Sequence, residues 1–228
     1  MALKKYHSIS SSSIFSRNAK STGYYWLSKL FALLKNCQDF VELKGTIYID
    51  ETFFSVTKSQ IETVNGIKLR GISRNKICVA TGVDLNGNLL LIDEQVSKPS
   101  LLSTWKAYGK HICKGGTLIH DGENSHSELI EKLSLESQVY KTEITKKLTE
   151  EENPLAPINR IHYFLKEFMK KHSGFSRENL QEWLNLYWLF YKFREDKDGL
   201  ELNKWLINRA FSERKLVRYR AFYSGKKR

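Results

Sequence analysis

Two aspartates in predicted strands are the residues of this sequence best suited to chemistry. Asp50 lies in the run GTIYIDETFFSV, whose β-branched and aromatic residues predict a strand over residues 45–56. Asp121 ends the apolar run TLIHD, which predicts a short strand over residues 117–121. Carboxylate oxygens are the ligands that Mg²⁺ prefers, and two such ions about 3.5–4 Å apart can clamp a reacting phosphodiester. If the two strands are neighbours, the aspartates predict a site for two Mg²⁺ or Mn²⁺ ions.

Both aspartates also have a purely structural interpretation. A carboxylate is costly to bury without a partner, so Asp50 could be an ion-paired strand residue, and Asp121 could cap the following helix. Side chains alternate along a strand, which directs Glu51 away from Asp50 and His120 away from Asp121. We therefore expect neither Glu51 nor His120 to be a ligand beside the aspartates.

A third candidate ligand lies on a predicted helix that begins at Asn159. Asn159 and Lys166 are seven residues apart, about two helical turns, so they share one face. The amide oxygen of Asn159 could coordinate a metal ion, and the ammonium of Lys166 could hold a DNA phosphate. The alternative is a first-turn asparagine and a solvated lysine. His162, one turn from Asn159, is expected to be a partly buried structural histidine.

The order of the predicted elements sets the fold class. Three strands form a meander with Asn86-Gly87 as a hairpin turn, and a helix, a short strand, a second helix and a further short strand follow. This is the order of an α/β, ribonuclease-H-like mixed sheet with flanking helices, although many α/β domains share it. In such a sheet the strands of Asp50 and Asp121 are neighbours. The predicted ranges are 45–56, 76–84 and 89–93 for the meander, then 101–112, 117–121, 125–133 and 138–140.

Helical periodicity returns towards the C-terminus. Residues 141–158 are charged, contain two prolines and are predicted as a loop. An amphipathic helix follows from Asn159, and a second is predicted over residues 176–193, capped by Ser176. The catalytic domain is therefore expected to span residues 45–203.

The N-terminal residues 1–44 are predicted to be a small helical segment that resembles a helix-turn-helix unit. Two short helical pieces fall within residues 8–36, and Arg17, Asn18 and Lys20 could face DNA. The alternative is a plain helix that packs on the core.

The excess positive charge lies at the two ends of the chain. The formal net charge is +12, with +5 in residues 1–44, −1 in residues 45–203 and +8 in residues 204–228. Basic ends attract polyanions such as nucleic acid, although a solubilising tail is the alternative. The C-terminal residues expected to contact DNA are Arg209, Arg214, Lys215, Arg218 and Arg220.

The sequence argues against a membrane-spanning protein, a secreted protein and a protein held together by disulfides or a zinc ribbon. The longest apolar stretch, residues 183–191, is too short to span a bilayer, and the N-terminus has no apolar core typical of a signal peptide. The three cysteines form no C-x-x-C pair, which argues against a disulfide framework and a zinc ribbon. No membrane partner is expected, and a reducing cytoplasm is the expected compartment.

Three motifs together resemble a known family of enzymes. IDETFF at 49–54, HDGENSH at 120–126 and the helical run from Asn159 to residue 190 are similar to the DDE/N transposases of bacterial insertion sequences. The resemblance covers residues 8–193. It implies a catalytic Asp50, Asp121 and Asn159, with Lys166 as the accompanying basic residue.

The resemblance implies metal-dependent DNA cleavage and strand transfer at transposon ends, by a homodimer or higher oligomer on DNA. Two features depart from the family pattern: the N-terminal zinc ribbon of many members is absent, and Asn159 removes one negative charge from the metal site. Two alternatives stay open. One is an inactive or repurposed DNA-binding protein, and the other is a cellular nuclease of the same fold.

Overall fold

A mixed five-stranded sheet flanked by helices forms the centre of the protein. The computed structural model describes residues 16–56, 58–172 and 177–213, together with positions 11 and 14. The strands of the sheet run in the order β5-β4-β1-β6-β7. The prediction of an α/β fold with strands and flanking helices is confirmed. The strands, including a small hairpin formed by β2 and β3, are β1 (Thr46–Ser55), β2 (Thr63–Val64), β3 (Ile67–Lys68), β4 (Lys76–Asp84), β5 (Leu89–Val96), β6 (Thr117–His120) and β7 (Glu136–Val139).

The sheet combines an antiparallel meander with two parallel strands. β1 pairs antiparallel with β4, and β4 pairs antiparallel with β5. On its other edge β1 pairs parallel with β6, which pairs parallel with β7. β1 continues to Ser55, whereas β6 ends at His120, so β6 ends beside the middle of β1.

Helices cover both faces of the sheet. They are α1 (Lys20–Leu34), α2 (Leu101–Tyr108), α3 (Ser127–Leu133), α4 (Thr142–Thr145), α5 (Ala156–Lys171), α6 (Leu180–Lys192) and α7 (Leu200–Glu213). One face of the sheet packs against α1, α5, α6 and α7, and the other packs against α2 and α3. Within the described residues, no helix has the length and apolar content needed to cross a bilayer.

Strand β4, between β5 and β1, forms part of the buried core of the sheet. Every residue of β4 after Lys76 is buried, because helices cover this strand on both sides. The β4–β5 hairpin turns as predicted at Asn86-Gly87, where Gly87 has a positive φ of 77°. The Asp84 carboxylate closes the turn by accepting hydrogen bonds from the backbone N–H of Asn88 at 2.9 Å and of Lys44 at 3.2 Å.

The N-terminal helix α1 belongs to the main core. Its residues Leu27, Leu30, Phe31 and Leu34 are buried in the same cluster as α6. The Gln38 side chain, just beyond α1, exchanges hydrogen bonds with the backbone of Leu91 on β5 at 2.9 and 2.8 Å. The packing-helix alternative therefore describes α1. Of the helical piece predicted before it, positions 8–10, 12, 13 and 15 lie outside the described residues, and residues 16–19 are not helical.

Several predicted boundaries move. The helix predicted to start at Asn159 begins at Ala156, because Pro157 is tolerated in the first turn of a helix. The helix predicted over residues 176–193 is shorter and spans Leu180–Lys192 in the structure, while its predicted cap Ser176 lies outside the described residues. The predicted loop 141–158 contains the short helix α4.

The predicted basic tail begins inside a helix. The expected boundary at residue 203 falls within α7, whose Leu202, Trp205 and Leu206 pack against the main core. The Arg209 guanidinium donates hydrogen bonds to the carbonyls of Leu33 at 2.8 Å and Lys35 at 2.9 Å, at the end of α1. These donors serve a helix C-terminus, a favourable place for a cation.

Candidate metal centre

The two predicted aspartates come to the same edge of the sheet. Tyr48 of β1 pairs with Ile119 of β6, so continuing this parallel register by two residues sets Asp50 beside Asp121. Asp50 is on the face that α5 covers, as is Tyr48, which packs with Ile158 of that helix. Asp121 follows the end of β6, so strand alternation no longer fixes the direction of its side chain. The register therefore sets the two aspartates at neighbouring positions.

Electrostatics agree with this placement. Burial, with smaller contributions from the negative charges of Glu51 and Asp121, raises the pKa of Asp50 to about 7. Against these effects, Asp50 Oδ1 accepts a hydrogen bond from the Glu51 N–H at 2.9 Å, which lowers the pKa. The carboxylates thus repel one another in a partly buried place, where a cation would be favourable.

Each aspartate also makes a local structural contact. The group that pairs with Asp50 is His162, whose Nδ1 lies 3.6 Å from Asp50 Oδ2. Burial, with a smaller contribution from the nearby Lys166 charge, lowers the pKa of His162 to about 3, which favours the uncharged imidazole at neutral pH. Asp121 Oδ1 accepts from the Glu123 N–H at 3.0 Å, whereas Glu123 itself caps the following turn.

Helix α5 carries the remaining predicted residues along the site. His162 is buried, and its Nε2 has no hydrogen-bond partner within the described part of the chain. Asn159 lies one turn earlier and Lys166 one turn later, and both are exposed. The structure therefore brings His162 into contact with Asp50 and sets Asn159 and Lys166 at the solvent edge of the same helix.

The predicted DNA-binding residues are spread over the surface. Arg17, Asn18 and Lys20 are exposed at and before the start of α1, and Arg17 has a positive φ of 54°. Arg209 is half-buried, and its guanidinium is hydrogen-bonded to backbone carbonyls at the end of α1. The remaining predicted contacts, Arg214, Lys215, Arg218 and Arg220, lie outside the described residues.

A second polar cluster, which we call the histidine chain, lies on the opposite face of β1. It consists of Glu51, His126, His120 and Ser137. His126 Nε2 lies 2.9 Å from Glu51 Oε1, and the Nδ1 atoms of the two histidines are 3.0 Å apart. His120 Nε2 lies 2.9 Å from Ser137 Oγ. The Glu51 and His126 side chains are only 5% and 0% exposed, so the chain is closed to solvent at this end.

Hydrogen-bond partners assign the protons of the histidine chain. The Gly122 N–H donates to His120 Nδ1 at 3.2 Å, so this nitrogen is an acceptor and the ring proton lies on Nε2. His126 must then donate from Nδ1 to His120 and from Nε2 to Glu51. This assignment makes His126 an imidazolium and His120 a neutral imidazole.

The pKa directions of the two histidines fit this assignment. Burial lowers the pKa of His126, but the hydrogen bond and charge of Glu51, with the charges of Asp121 and Asp50, outweigh burial and raise it overall. Burial and the His126 charge lower the pKa of His120 to about 4. The carboxylates on both sides of β1 thus favour positive charge at this edge of the sheet.

Two sets of side chains at this edge have the chemistry to hold a metal ion. Asp50 and Asp121 offer carboxylate oxygens, the donor type that suits Mg²⁺. His120, Asp121 and His126 each offer one ligand atom, and these atoms lie within 4.8 Å of one another. Asp121 belongs to both sets.

The histidine chain escaped sequence analysis for a definable reason. Strand alternation directs Glu51 to the face opposite Asp50, but it does not tell what Glu51 meets there. The expectation that His120 points away from Asp121 is wrong, because Asp121 follows the end of β6 and its carboxylate lies within 4.8 Å of a ligand atom of His120. His126 comes from the turn after β6, and only the fold places it against Glu51. The one signal in the sequence was the repeated histidine in HDGENSH.

Comparison with known proteins does not name a family for this chain. A scan against protein-family models finds no match, and a search of curated proteins finds no relative.

Proposed function

We propose that this protein is a transposase-like enzyme that cleaves and joins DNA, with Asp50 and Asp121 as its metal-binding carboxylates. The observation that carries the proposal is the parallel register of β1 and β6, in which Asp50, in the middle of β1, lies opposite the position directly after β6 that Asp121 occupies. Burial raises the pKa of Asp50, and the charges of Glu51 and Asp121 contribute to the increase. Like charges are seldom gathered in a partly buried place without a cation to bind.

The topology supports a ribonuclease-H-like fold for the catalytic domain. Three antiparallel strands continue into two parallel ones, in the order β5-β4-β1-β6-β7. We infer the fold from this order together with the helices that cover both faces. The motif resemblance in IDETFF, HDGENSH and the helix from Asn159 points in the same direction.

The proposed reaction is phosphodiester hydrolysis at an element end followed by strand transfer. Water attacks the phosphorus, the P–O3′ bond breaks and a 3′-hydroxyl is released. This hydroxyl then attacks a phosphodiester of the target, loses its proton to solvent and displaces the target 3′-oxygen. Mg²⁺ bound by Asp50 and Asp121 would supply the positive charge that stabilises the transition state.

The other residues of the site position DNA in this proposal. Asn159 and Lys166 form an exposed edge of α5 next to the aspartates, where an amide oxygen could complete the metal site and an ammonium could hold a phosphate. Buried His162 is neutral, so it packs against Asp50 without neutralising it. The basic ends of the chain would hold the DNA backbone without reading sequence.

A cleavage assay tests the function directly. The full chain is incubated with the DNA that flanks its coding region on both sides, with Mg²⁺ or with a chelator, and nicked and joined products are separated on a gel. We expect products only with Mg²⁺, and none from Asp121→Asn. The matched control is Asp39→Asn, which changes an exposed carboxylate paired with Lys110 at 3.2 Å.

Binding without any cleavage by the wild type would favour a DNA-binding protein instead. Cleavage without joining would favour a nuclease of the same fold.

A further inference from the structure

The histidine chain brings two imidazoles close to the carboxylate of Asp121. Two buried imidazoles direct the same atom, Nδ1, at each other across 3.0 Å, and Asp121 has a carboxylate oxygen within 4.8 Å of both. Three chemically suitable ligand atoms thus converge on one point next to the end of β6.

The outer nitrogen of each imidazole is held separately. His126 Nε2 is bound by the Glu51 carboxylate and His120 Nε2 by the Ser137 hydroxyl. Metal-binding histidines usually donate their second ring N–H to a carboxylate or another oxygen, which fixes the ring and makes the free nitrogen more basic. The histidine chain has this outer arrangement on both rings.

The spacing is close to that of a bound transition metal. Zn²⁺ binds imidazole nitrogen at about 2.0–2.1 Å, so two ligands at a tetrahedral angle are about 3.3 Å apart. The observed separation of 3.0 Å needs only a few tenths of an ångström of opening. An entering ion would displace the proton that His126 Nδ1 donates to His120, together with the 3.2 Å hydrogen bond from the Gly122 N–H.

We propose that His120, His126 and Asp121 form a binding site for a transition-metal ion of the Zn²⁺ type. Imidazole suits Zn²⁺ better than it suits Mg²⁺, which prefers oxygen. The site is distinct from the oxygen-donor pair of Asp50 and Asp121 but shares Asp121 with it. The inference goes beyond the proposed function and does not depend on it.

Such an ion would tie together three elements. His120 ends β6, His126 lies directly before α3, and Glu51 holds His126 from β1. A metal on the two imidazoles would therefore fix the loop that carries Asp121. The Zn²⁺-type site would act on the reaction through the position of Asp121 and not through contact with DNA.

Cobalt absorption tests the site without an activity assay. The full chain, free of any histidine tag, is stripped with chelator and titrated with Co²⁺. Four-coordinate Co²⁺ absorbs visible light strongly, whereas six-coordinate Co²⁺ on oxygen ligands absorbs weakly. We expect strong absorption that saturates at one equivalent and is displaced by Zn²⁺ but not by Mg²⁺.

Variants locate the ion. The absorption should be lost in His120→Gln and His126→Gln and kept in Asp50→Asn. The matched control is His111→Gln, which changes another buried histidine, one whose Nδ1 bonds the Val41 carbonyl at 2.8 Å outside the cluster. Weak absorption alone, or a strong band that survives His126→Gln, would overturn the proposal.

A second measurement covers the case in which the buried variants do not fold. In wild-type protein with ¹⁵N-labelled histidine, Zn²⁺ should shift the Nδ1 resonances of two histidines and leave the Nε2 atoms of both rings protonated. Shifts at Nε2, or no shift, would contradict the site. Because Asp50→Asn should keep Zn²⁺ and lose DNA cleavage, failure of this site and failure of the proposed enzyme are separate results.

Discussion

The two sides of β1 place adjacent acids in opposite situations. Asp50 is partly open, with a side chain 22% exposed, and its surroundings are carboxylates and a neutral histidine. Glu51 is closed, with a side chain 5% exposed, and it is bound to His126 at 2.9 Å. The same strand therefore presents an accessible oxygen-donor pair on one side and a sealed nitrogen-donor pair on the other. Because neighbouring strand residues face opposite sides, Asp50 belongs to a site suited to reaction and Glu51 to a site suited to holding a loop.

The largest expected effect comes from neutralising the open side. Asp50→Asn keeps the shape of the side chain but removes a charged oxygen donor. We expect DNA cleavage to fall at least about 100-fold, because even groups behind the ligands of a metal site cost about 10–100-fold. Gel assays of cleavage and an equilibrium binding assay measure both properties, and DNA binding should be nearly unchanged.

The matched change is Asp93→Asn, which alters a half-buried carboxylate on the edge strand β5. It should leave cleavage unchanged. An active Asp50→Asn would remove Asp50 from the site, and an equal loss in both variants would show that the sheet itself had been damaged.

On the closed side of β1, a substitution at Glu51 should lower the stability of the fold. Glu51→Gln retains an acceptor for His126 but removes the charge that balances the buried imidazolium. We expect the free energy of unfolding to fall by about 2 kcal/mol, less than the cost of deleting one partner of a buried ion pair because a hydrogen bond remains. Urea denaturation monitored by circular dichroism measures the change.

The control for this change is Glu128→Gln, which breaks the surface pair with Lys132 at 2.5 Å on α3. A surface pair contributes about 0–1 kcal/mol, so its loss should be small. If the two substitutions lower the free energy of unfolding equally, the buried pair of Glu51 and His126 stabilises the fold no more than a surface pair does. The proposed difference between the two sides of β1 would then be wrong.

Much of the open side could be predicted from sequence, and the closed side could not. β-branched residues and alternation located β1 and the face of Asp50, and the short apolar run before Asp121 located β6. Their meeting then followed from a common strand order. His126 lies in a turn, and its contact with Glu51 depends on how that turn folds over the sheet, which no local pattern encodes.

The ends of the chain show a second limit. Charge density in residues 204–228 predicted a basic tail, but Leu202, Trp205 and Leu206 place an amphipathic helix across that boundary. Similarly, exposed-looking basic residues before α1 suggested a separate binding segment, whereas the apolar face of α1 packs into the main core. In both cases packing by a few apolar residues outweighs the average charge of a segment.

The edge of α5 offers a test of intermediate size on the open side. Lys166→Ala should weaken DNA binding and reduce the slope of log affinity against log salt by about 1, because one phosphate contact is lost. Lys132→Ala on α3 is the control, since it removes the same charge on the opposite face of the sheet. Filter binding over a series of salt concentrations measures both slopes. An unchanged slope for Lys166→Ala would show that DNA does not follow α5.

The smallest expected effect is a change in stability at Asp93. It distinguishes burial from charge repulsion as the cause of a raised carboxyl pKa. Burial alone raises the pKa of Asp93 to about 6, whereas neighbouring carboxylates add to the effect of burial at Asp50. A carboxyl whose folded pKa is raised favours the folded state below its unfolded pKa, near 4, and this advantage disappears as the pH rises through about 6. Asp93→Asn should therefore match the wild type at pH 4 and exceed its stability at pH 8 by about 1 kcal/mol, after allowance for partial exposure. Urea denaturation at the two pH values measures this, and Mg²⁺ should not alter the difference because Asp93 lacks a second carboxylate that raises its pKa. A difference that Mg²⁺ abolishes would show that Asp93 also binds a cation, and the contrast between the open pair and an ordinary buried acid would fail.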